Sequence, residues 1–345
     1  MGQSDGLHLG VVGVGRIGVL HAATLVELYN VAGVTLADAD AGRARQIAKE
    51  LGTHAVASPE ALIEAGVDAL VIATSTAGHV PLLELAARAG LPSFCEKPVA
   101  LDLSTMDALV EDVERAGILV QVGFQRRFDA GYRAAHDAVA TGALGTLLTL
   151  RAATHDPAPP SPQYIASSGG IFRDLHIHDF DAIRFVTGEE VTEVYADGAV
   201  RESAWFRESG DVDTAAAVLR LSGGALAVLT GTRHDPLGYD VRLEVFGTGD
   251  SIGVGIDDRS PLRSIEPGAT ASGGPGYRNF LERFEAAYRS ELEAFVVTVL
   301  AGGPSPCTLA EARAALVVAL AADRSRAERR PVPIEEVASA QAVTG

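Results

Sequence analysis

The sequence predicts an α/β domain with a doubly wound parallel sheet, followed by an α+β domain with a large, mostly antiparallel open sheet. Two observations lead to this fold class. From residue 7 to about residue 124, short β-rich runs alternate with helical runs, a rhythm typical of parallel strands joined by helical crossovers. After residue 143 the β-rich runs are separated mostly by turns, which is typical of antiparallel strands.

The length agrees with two domains. The chain has 345 residues, and an average domain has roughly 150. Because the alternating pattern ends at about residue 124, we expect one domain over residues 1–124 and a second over residues 125–345.

The first domain is predicted to contain five strands and four helices. The strands are residues 9–14, 31–38, 69–75, 92–96 and 119–124. The helices, whose apolar residues recur every three or four positions, are residues 17–28, 43–51, 79–89 and 104–116. Gly52, Gly90 and Gly117 directly follow three of these helices, as expected for glycines that end a helix in the left-handed conformation.

The second domain is predicted to contain five strands and two closing helices. The strands are residues 145–154, 192–200, 214–221, 225–233 and 241–246. Gly223 and Gly224 lie between the third and the fourth of these strands, where they predict a tight hairpin turn. The helices are residues 277–301 and 309–326, and Thr308 with Glu311 forms a capping box before the last one.

The charge balance and the apolar runs exclude two classes of partner. The chain has 28 Lys and Arg residues against 45 Asp and Glu residues, a net charge of −17, and an acidic surface repels nucleic-acid phosphates. The longest uncharged apolar runs, such as residues 314–322, are shorter than the roughly 20 residues that cross a bilayer. Since no basic segment precedes an apolar one near the N terminus, we expect a cytoplasmic protein without nucleic-acid or membrane partners.

A glycine-rich turn marks a candidate dinucleotide site. The segment Gly13-Val-Gly15-Arg16-Ile17-Gly18 directly follows the first predicted strand and opens the first predicted helix. In this context the first glycine permits a tight turn, the second lets the backbone approach a pyrophosphate, and the third lets the helix pack on the strand. The phosphate charge would then lie at the N terminus of the helix.

An acidic residue at the end of the second predicted strand strengthens the dinucleotide prediction. Asp38 stands 20 residues after Gly18, where its carboxylate can accept hydrogen bonds from the adenosine ribose. The same charge repels a 2′-phosphate, so NAD is favoured over NADP. Arg43 and Arg45 follow shortly afterwards and leave NADP open as an alternative.

A charged pair follows the fourth predicted strand. Glu96-Lys97-Pro98 lies at the carboxyl edge of the parallel sheet, where doubly wound folds bind their ligands. Pro98 restricts the backbone of Lys97, so the backbone aims the ammonium group. The alternative is a pair of solvated residues at the start of a loop. The predicted cofactor site also includes Thr74, Ser75, His79, Glu96 and Lys97.

Asp174 and His178 are the candidate acid–base pair. Apolar residues recur every three positions from Ile177 to Val186, so we predict one helix in which Asp174 and His178, four apart, share a face. A carboxylate beside an imidazole fixes its tautomer and stabilises its charged form, as a general base for an alcohol proton requires. A surface ion pair or a core histidine with satisfied hydrogen bonds is the alternative.

A metal centre is not predicted. His176, His178 and Asp179 resemble a ligand set, but residues two apart on a helix point to different faces. The two cysteines, Cys95 and Cys307, are too few for a zinc cage or a disulfide framework.

Motifs along nearly the whole chain occur together in one known family. They are residues 13–18 with His21, residues 96–98, residues 123–129, residues 169–172 and residues 174–181. With them the chain resembles the glucose-fructose oxidoreductase/inositol dehydrogenase/MocA (Gfo/Idh/MocA) family, and residues 169–181 and 238–246 are most similar to its inositol 2-dehydrogenases. The resemblance implies a Rossmann domain and an NAD-dependent oxidation of a ring secondary alcohol to a ketone.

The resemblance also implies roles for individual residues. Lys97 would contact the reacting hydroxyl and stabilise developing alkoxide charge, while His178 would accept the hydroxyl proton and Asp174 would orient it. Residues that match the polyol pocket of the family are Arg127, His155 and Tyr239. Members of the family pair subunits through the open face of the second-domain sheet, which implies a homodimer or homotetramer.

The leading expectation is therefore the oxidation of myo-inositol to 2-keto-myo-inositol. Because His155 and His234 stand where related sequences often carry other polar residues, scyllo-inositol or a pyranose sugar is the alternative substrate. A non-catalytic NAD- and sugar-binding sensor is the alternative of another class. The presence of Lys97, Asp174 and His178 together weighs against the sensor.

Overall fold

The chain divides into two structural units, each of which gathers separate segments of the sequence. The computed structural model describes residues 6–268 and 274–339. The first unit contains the residues up to Phe128 and the segment Ala286–Arg313, and the second contains Asp129–Glu285 and the residues from Ala314 onward. A segment near the end of the chain therefore belongs to the N-terminal unit.

Strands and helices alternate strictly from residue 7 to residue 123. The strands are β1 (Leu7–Val12), β2 (Val31–Ala37), β3 (His54–Ala55), β4 (Ala69–Ile72), β5 (Ser93–Glu96) and β6 (Val120–Gly123). The helices are α1 (Arg16–Glu27), α2 (Ala41–Leu51), α3 (Pro59–Glu64), α4 (Thr76–Ala89) and α5 (Leu103–Ala116), followed by a 3-10 helix at Gln125–Phe128.

These strands form one parallel sheet in the order β3-β2-β1-β4-β5-β6. The predicted doubly wound fold is confirmed. The strand order reverses between β1 and β4, and sheets of this kind bind ligands beyond the carboxyl ends of the strands at that point. The residues that follow β1, β4 and β5 are therefore the ones positioned to bind a ligand.

The helix ends of the first unit agree with the predicted glycine signals. Gly52, Gly90 and Gly117 cap α2, α4 and α5 with φ angles of 68°, 69° and 64°. The short elements β3 and α3 were not predicted. Leu62 is the buried residue of the six-residue α3, so this helix leaves no periodic apolar pattern, although Ser58 caps it.

The remaining elements follow in chain order. The strands are β7 (Leu147–His155), β8 (Val191–Ala199), β9 (Thr214–Leu221), β10 (Leu226–Thr232), β11 (Asp240–Gly247), β12 (Ser251–Val254) and β13 (Val332–Pro333). The helices are α6 (Ala130–Ala140), α7 (Pro162–Ser168), α8 (Ile171–Asp174), α9 (Ile177–Thr187), α10 (Ala204–Glu208), α11 (Phe280–Arg283), α12 (Glu285–Ala301), α13 (Leu309–Glu328) and α14 (Ile334–Ala338).

The seven strands of the second unit form a sheet in the order β12-β11-β7-β10-β9-β8-β13. Neighbouring strands are antiparallel except β7 and β10, which are parallel, so the prediction of a mostly antiparallel sheet is confirmed. The predicted hairpin joins β9 to β10, and Gly224 in its turn has a φ of 97°. Since β7 and β10 are parallel, their carboxyl ends lie at the same edge of the sheet.

The two faces of this sheet differ in burial. On one face, alternate residues of β9 and β10 such as Leu219 and Leu229 are buried. On the other face, Val218 of β9 is paired in register with Tyr195 of β8 and Val228 of β10, and each of these three side chains is about 40% exposed. The second face therefore presents apolar side chains to solvent.

The predicted helix over residues 277–301 is wrong at its start. Tyr277 forms an isolated antiparallel bridge with Tyr239, whose N–H donates to the Tyr277 carbonyl oxygen at 2.6 Å. The helical segment begins only after Asn279, because the Asn279 side chain accepts from the N–H of Glu282 and caps α11. The helix α12 then begins at Glu285.

The helix α12 completes the core of the first unit. Its Leu292 and Phe295 belong to the same buried cluster as Phe94 of β5 and Val11 of β1. Over residues 6–268 and 274–339, none of the helices combines the length and the apolar character needed to span a bilayer.

Candidate active site

The turn between β1 and α1 requires its first and third glycines for packing and leaves space beside the second. A Cβ on Gly13, whose φ is 93°, would lie 2.7 Å from the Ala73 carbonyl oxygen, and one on Gly18 would lie 1.9 Å from the Gly13 carbonyl oxygen. A Cβ on Gly15 would meet nothing within 4 Å. Gly15 is also the N-cap of α1, where no side chain caps the helix. The turn therefore fits a pyrophosphate bound by backbone N–H groups.

The carboxylate of Asp38 lies beside this turn. Its Oδ2 accepts from the N–H of Val14 at 2.7 Å, and its Oδ1 accepts from the N–H of Asp40 at 2.8 Å. Each oxygen keeps a lone pair for a hydroxyl donor such as a ribose. In the same turn Arg16 is exposed and Ile17 is half-buried.

A buried histidine joins the loops that follow β4 and β5. The Nδ1 of His79 lies 2.8 Å from the Pro98 carbonyl oxygen, and its Nε2 lies 3.1 Å from the Thr74 carbonyl oxygen. Burial lowers the pKa of His79 despite these two acceptors. A neutral imidazole carries one N–H and donates to one of these two carbonyl oxygens, so the ring lies between Thr74 and the backbone that follows Lys97, and Ser75 next to Thr74 is exposed.

The end of β5 fixes the backbone of Lys97. Glu96 is buried, its Oε1 lies 2.7 Å from the Nε2 of His21, and its Oε2 accepts from the N–H of Lys97 at 3.3 Å. A Cβ on Gly123 of the neighbouring strand would lie 3.3 Å from the Glu96 carboxyl group, so this glycine makes room for it. Lys97 is half-buried, and it is one of only two lysines in the chain, the other being the exposed Lys49.

Arg127 lies in the same unit, in the 3-10 helix after β6. Its Nη2 donates to the Oε2 of Glu311 at 2.7 Å, and its side chain is 9% exposed. The N–H of Glu311 also donates to the Thr308 hydroxyl oxygen at 3.3 Å, which is one half of the predicted capping box. The Glu311 carboxylate thus pairs with Arg127.

In the second unit, the prediction of one helix through Asp174 and His178 is wrong. The helix α8 ends at Asp174 and α9 begins at Ile177. The N–H of His176 donates to the Ile171 carbonyl oxygen five residues back, at 3.0 Å, so a wide turn interrupts the helix. The four-residue spacing of Asp174 and His178 therefore does not fix their relative orientation.

A buried contact with the sheet explains this interruption. The His176 ring lies 2.5 Å from where a Cβ of Gly231 in β10 would be, so the glycine allows the ring to pack on the strand. The Nδ1 of His176 lies 2.7 Å from the Oδ2 of Asp179, whose Oδ1 accepts from the Thr154 hydroxyl at 2.8 Å. These contacts place the His176 imidazole beside the Asp179 carboxylate.

Asp174 is held by two residues that the sequence did not predict. Arg233 donates to its Oδ2 at 2.8 Å, and the Tyr164 hydroxyl donates to its Oδ1 at 2.7 Å. Arg233 also donates to Asp156 at 3.1 Å. Burial alone would lower the pKa of Arg233, but Asp174 and Asp156 raise it above its ordinary value, while burial and the Asp174 charge raise the pKa of Tyr164. Both partners therefore stay protonated and donate to a carboxylate.

A sequence signal existed for Arg233 but not for Tyr164. Arg233 is the last residue of the predicted strand over residues 225–233, and it lies on the same face of that strand as the buried Leu229 and Gly231. A cation on a buried face requires an acidic partner. Tyr164 lies in the short helix α7, where no periodic pattern marks it.

The geometry around His155 defines its tautomer. Its Nδ1 lies 2.8 Å from the Thr232 hydroxyl oxygen, and that hydroxyl donates its one hydrogen to the His234 carbonyl oxygen at 2.9 Å. The Nδ1 of His155 therefore carries the proton, and its Nε2 is an acceptor. Burial lowers the pKa of His155, which favours this neutral form.

Tyr239 and His178 are the other two predicted residues of this unit, and they lie directly before β11 and at the start of α9. Tyr239 is 5% exposed and its ring packs edge-on against Phe284 at 6.4 Å. His178 is half-buried in the first turn of α9.

The structure thus gathers two sets of predicted residues. In the first unit, the glycine turn, Asp38, His79 and Lys97 follow the ends of the parallel strands. In the second unit, Asp174 is tied through Arg233 to the ends of β10 and β7. Among the residues that the structure describes, the group of three close enough together to hold a metal ion is His21, Glu96 and Glu291, and none of His176, His178 and Asp179 belongs to it.

Comparison with known proteins agrees with this architecture. The model of an oxidoreductase family with an NAD-binding Rossmann fold matches residues 7–124, and the model of the GFO/IDH/MocA C-terminal domain matches residues 132–253. A myo-inositol 2-dehydrogenase of Thermotoga maritima is 38% identical over 96% of this chain and 99% of its own length. A scyllo-inositol 2-dehydrogenase (NAD(+)) of Bacillus subtilis is 35% identical over 94% of this chain and 95% of its own.

A solved structure extends the comparison to three dimensions. The crystal structure of scyllo-inositol dehydrogenase from Lactobacillus casei with bound NAD(H) and scyllo-inositol is 28% identical, matches 95% of this chain and 99% of its own, and gives a TM-score of 0.85. Since family models match both halves of the chain and the relatives cover nearly all of it, the protein belongs to the GFO/IDH/MocA family and is an NAD-dependent oxidoreductase.

Proposed function

We propose that the protein oxidises a ring hydroxyl of a cyclitol to a ketone, with myo-inositol converted to 2-keto-myo-inositol. The observation that carries this proposal is the buried Asp174 carboxylate, which Arg233 and Tyr164 hold beside the segment that bears His178. The kinship with inositol dehydrogenases supports the choice of substrate.

NAD supplies the hydride acceptor for this reaction. His178 takes the hydroxyl proton as the carbon–hydrogen bond breaks and the carbonyl forms, and Asp174 orients His178. Lys97 stabilises the negative charge that develops on the substrate oxygen.

The polyol contacts in this proposal are Arg127, His155 and Tyr239. A cyclitol carries a hydroxyl on every ring carbon, so its pocket needs fixed donors and acceptors. The acceptor Nε2 of His155 suits a substrate hydroxyl, and the Arg127 guanidinium supplies donors.

A second candidate substrate is scyllo-inositol. The kinship with a scyllo-inositol 2-dehydrogenase favours it nearly as strongly as the kinship with a myo-inositol enzyme favours the first. Turnover of a panel that contains myo-inositol, scyllo-inositol and pyranose sugars, measured by NADH absorbance, identifies the substrate. A non-catalytic sensor would bind NAD and a sugar but reduce no NAD with any member of the panel.

We further propose that the protein is a homodimer or homotetramer that works in the cytoplasm. The exposed apolar row of Tyr195, Val218 and Val228 on one face of the second sheet supports an interface between copies of the chain, because exposed apolar patches of this kind mark association sites.

The first prediction concerns the catalytic residues. Lys97→Ala and His178→Ala are expected to lower kcat with myo-inositol by roughly 10²- to 10⁴-fold, far more than they lower NAD affinity, because each removes charge stabilisation or proton transfer in the transition state. NADH absorbance measures turnover, and Lys49→Ala is the matched control. Unchanged turnover in both site variants would contradict the assignment.

The second prediction concerns cofactor choice. Asp38→Ser is expected to narrow the preference for NAD over NADP, because it removes the charge that repels a 2′-phosphate. Asp40→Ser is the control, since Asp40 accepts from the N–H groups of Gly42 and Arg43 and serine can also cap that helix. The measurement is the ratio of kcat/KM with NAD to kcat/KM with NADP in each variant. Equal use of both cofactors by the wild type would refute this role of Asp38.

The third prediction concerns the support of Asp174. Tyr164→Phe is expected to lower kcat by about tenfold without unfolding the protein, because a hydrogen bond to a charged group contributes roughly 1.5–3 kcal/mol. Tyr277→Phe removes a similar hydroxyl–carboxylate contact, to Asp257 at 2.9 Å on the surface, and should leave kcat unchanged. Equal kcat values for the two variants would show that Tyr164 does not position Asp174.

The fourth prediction concerns assembly. Val218→Glu or Val228→Glu is expected to shift the protein to a smaller species in sedimentation velocity, because each places a charge in the proposed interface. Leu262→Glu, at a 62% exposed position outside the sheet, should leave the mass unchanged. A monomeric wild type would contradict the proposal.

A further inference from the structure

A cluster of three buried titratable side chains lies within the first unit, beneath the strand end that carries Lys97. His21 comes from α1, Glu96 from the end of β5 and Glu291 from α12. Their exposed fractions are 0%, 7% and 0%, and polar atoms of all three lie within 4.8 Å of one another. The reaction mechanism uses neither His21 nor Glu291.

The two carboxyl groups of this cluster have unequal surroundings. Glu96 is bonded to the Nε2 of His21 and to the N–H of Lys97. Neither side-chain oxygen of Glu291 has a hydrogen-bond donor among the described residues. Donors stabilise the charged form of a carboxyl group, and Glu96 has such donors whereas Glu291 has none among the described residues.

The backbone around Glu291 prevents its side chain from moving to solvent. Its carbonyl oxygen accepts from the Gln121 side chain at 2.8 Å, which ties α12 to β6. The next residues of the helix, Leu292 and Phe295, lie in the buried core with Phe94. An ionised carboxylate would have no compensation in such surroundings, which makes it costly.

We propose that Glu291 is a neutral carboxylic acid that donates a hydrogen bond to Glu96, and that it is thereby a positioning residue for Glu96 and Lys97. The cluster then carries one negative charge, on Glu96. The separation of up to 4.8 Å is spanned after rotation of the Glu291 carboxyl group or through one water molecule. With three donors around it, Glu96 holds the backbone of Lys97 at the end of β5. The functional part of this inference rests on the proposed role of Lys97.

Among the described residues, two histidine or carboxyl groups lie within 4.8 Å of the Glu291 carboxyl group. They are Glu96 from β5 and His21 from α1, while the Tyr288 ring on α12 packs edge-on against His21 at 5.9 Å. Burial first, and the charge of Glu96 second, raise the pKa of Glu291 well above its ordinary value near 4.5. This direction agrees with a protonated Glu291 in the folded protein.

The alternative occupant of the cluster is a divalent cation, since two carboxylates and an imidazole can coordinate one. The Nε2 of His21 lies 2.7 Å from the Oε1 of Glu96, which is the length of a hydrogen bond. This distance favours a hydrogen-bonded cluster over a cluster that holds a cation. The substitution Glu291→Gln distinguishes a protonated acid from a bound cation. Glutamine mimics a neutral acid and donates a hydrogen bond, but it is a poor metal ligand.

The test compares Glu291→Gln with Glu291→Leu in the full-length protein. Glu291→Gln is expected to keep kcat within about twofold, and Glu291→Leu, which has no donor, to lower it about tenfold at similar KM for NAD. The reactivity of Lys97 towards acetic anhydride, relative to Lys49 in the same molecule, should change in the leucine variant only. Equal behaviour of the two variants in kcat and in this ratio would overturn the positioning role.

Two further measurements test the proton itself. The infrared C=O band of a protonated carboxyl group is expected in the wild type at pH 7 and not in Glu291→Gln. Since the folded state keeps a proton that the unfolded state releases above pH 4.5, the wild type should lose stability relative to Glu291→Gln as the pH rises. The unfolding equilibrium constant should change by up to about tenfold per pH unit until Glu291 ionises in the folded state.

A stoichiometric metal in the purified wild type that is lost in Glu291→Gln, or the absence of the infrared band, would overturn the neutral acid. The infrared, stability and lysine-modification measurements need no turnover. If the protein reduces no NAD with cyclitols but these three results appear, the proposed function fails and the inference about Glu291 stands.

Discussion

The buried guanidinium of Arg233 is the interaction on which the proposed chemistry of the second unit depends. It bridges Asp174 and Asp156 at 2.8 Å and 3.1 Å, and so joins the end of α8 to the ends of β10 and β7. Removing one partner of a buried ion pair costs about 3–5 kcal/mol, because the other charge stays buried. Arg233 is therefore both a structural link and the buried cation that pairs with the Asp174 carboxyl group.

The sequence predicted those features whose cause is local. The parallel sheet follows from alternating patterns, the helix ends from Gly52, Gly90 and Gly117, and the glycine turn from its place after β1. Features set by contacts distant in sequence were not predicted. The helix break after Asp174 depends on the fit of His176 against Gly231, and the return of α12 to the first unit depends on the apolar side chains that it buries there.

The net charge of −17 also has a consequence for the cofactor. The long-range field of an acidic protein opposes an anionic pyrophosphate, so binding has to come from short-range contacts. The uncapped N terminus of α1 and the open space at Gly15 provide such contacts, because backbone N–H groups carry partial positive charge there. A neutral cyclitol is not affected by the net charge, and its recognition depends on hydrogen bonds alone.

The central claim is that a ring carbinol hydrogen of a cyclitol passes to NAD as a hydride. The most direct measurement uses myo-inositol deuterated at C2 and examines the reduced cofactor by NMR. The account predicts one deuterium at C4 of the nicotinamide for each ketone formed. Reduced cofactor without deuterium, or no reduction with any cyclitol, would contradict it.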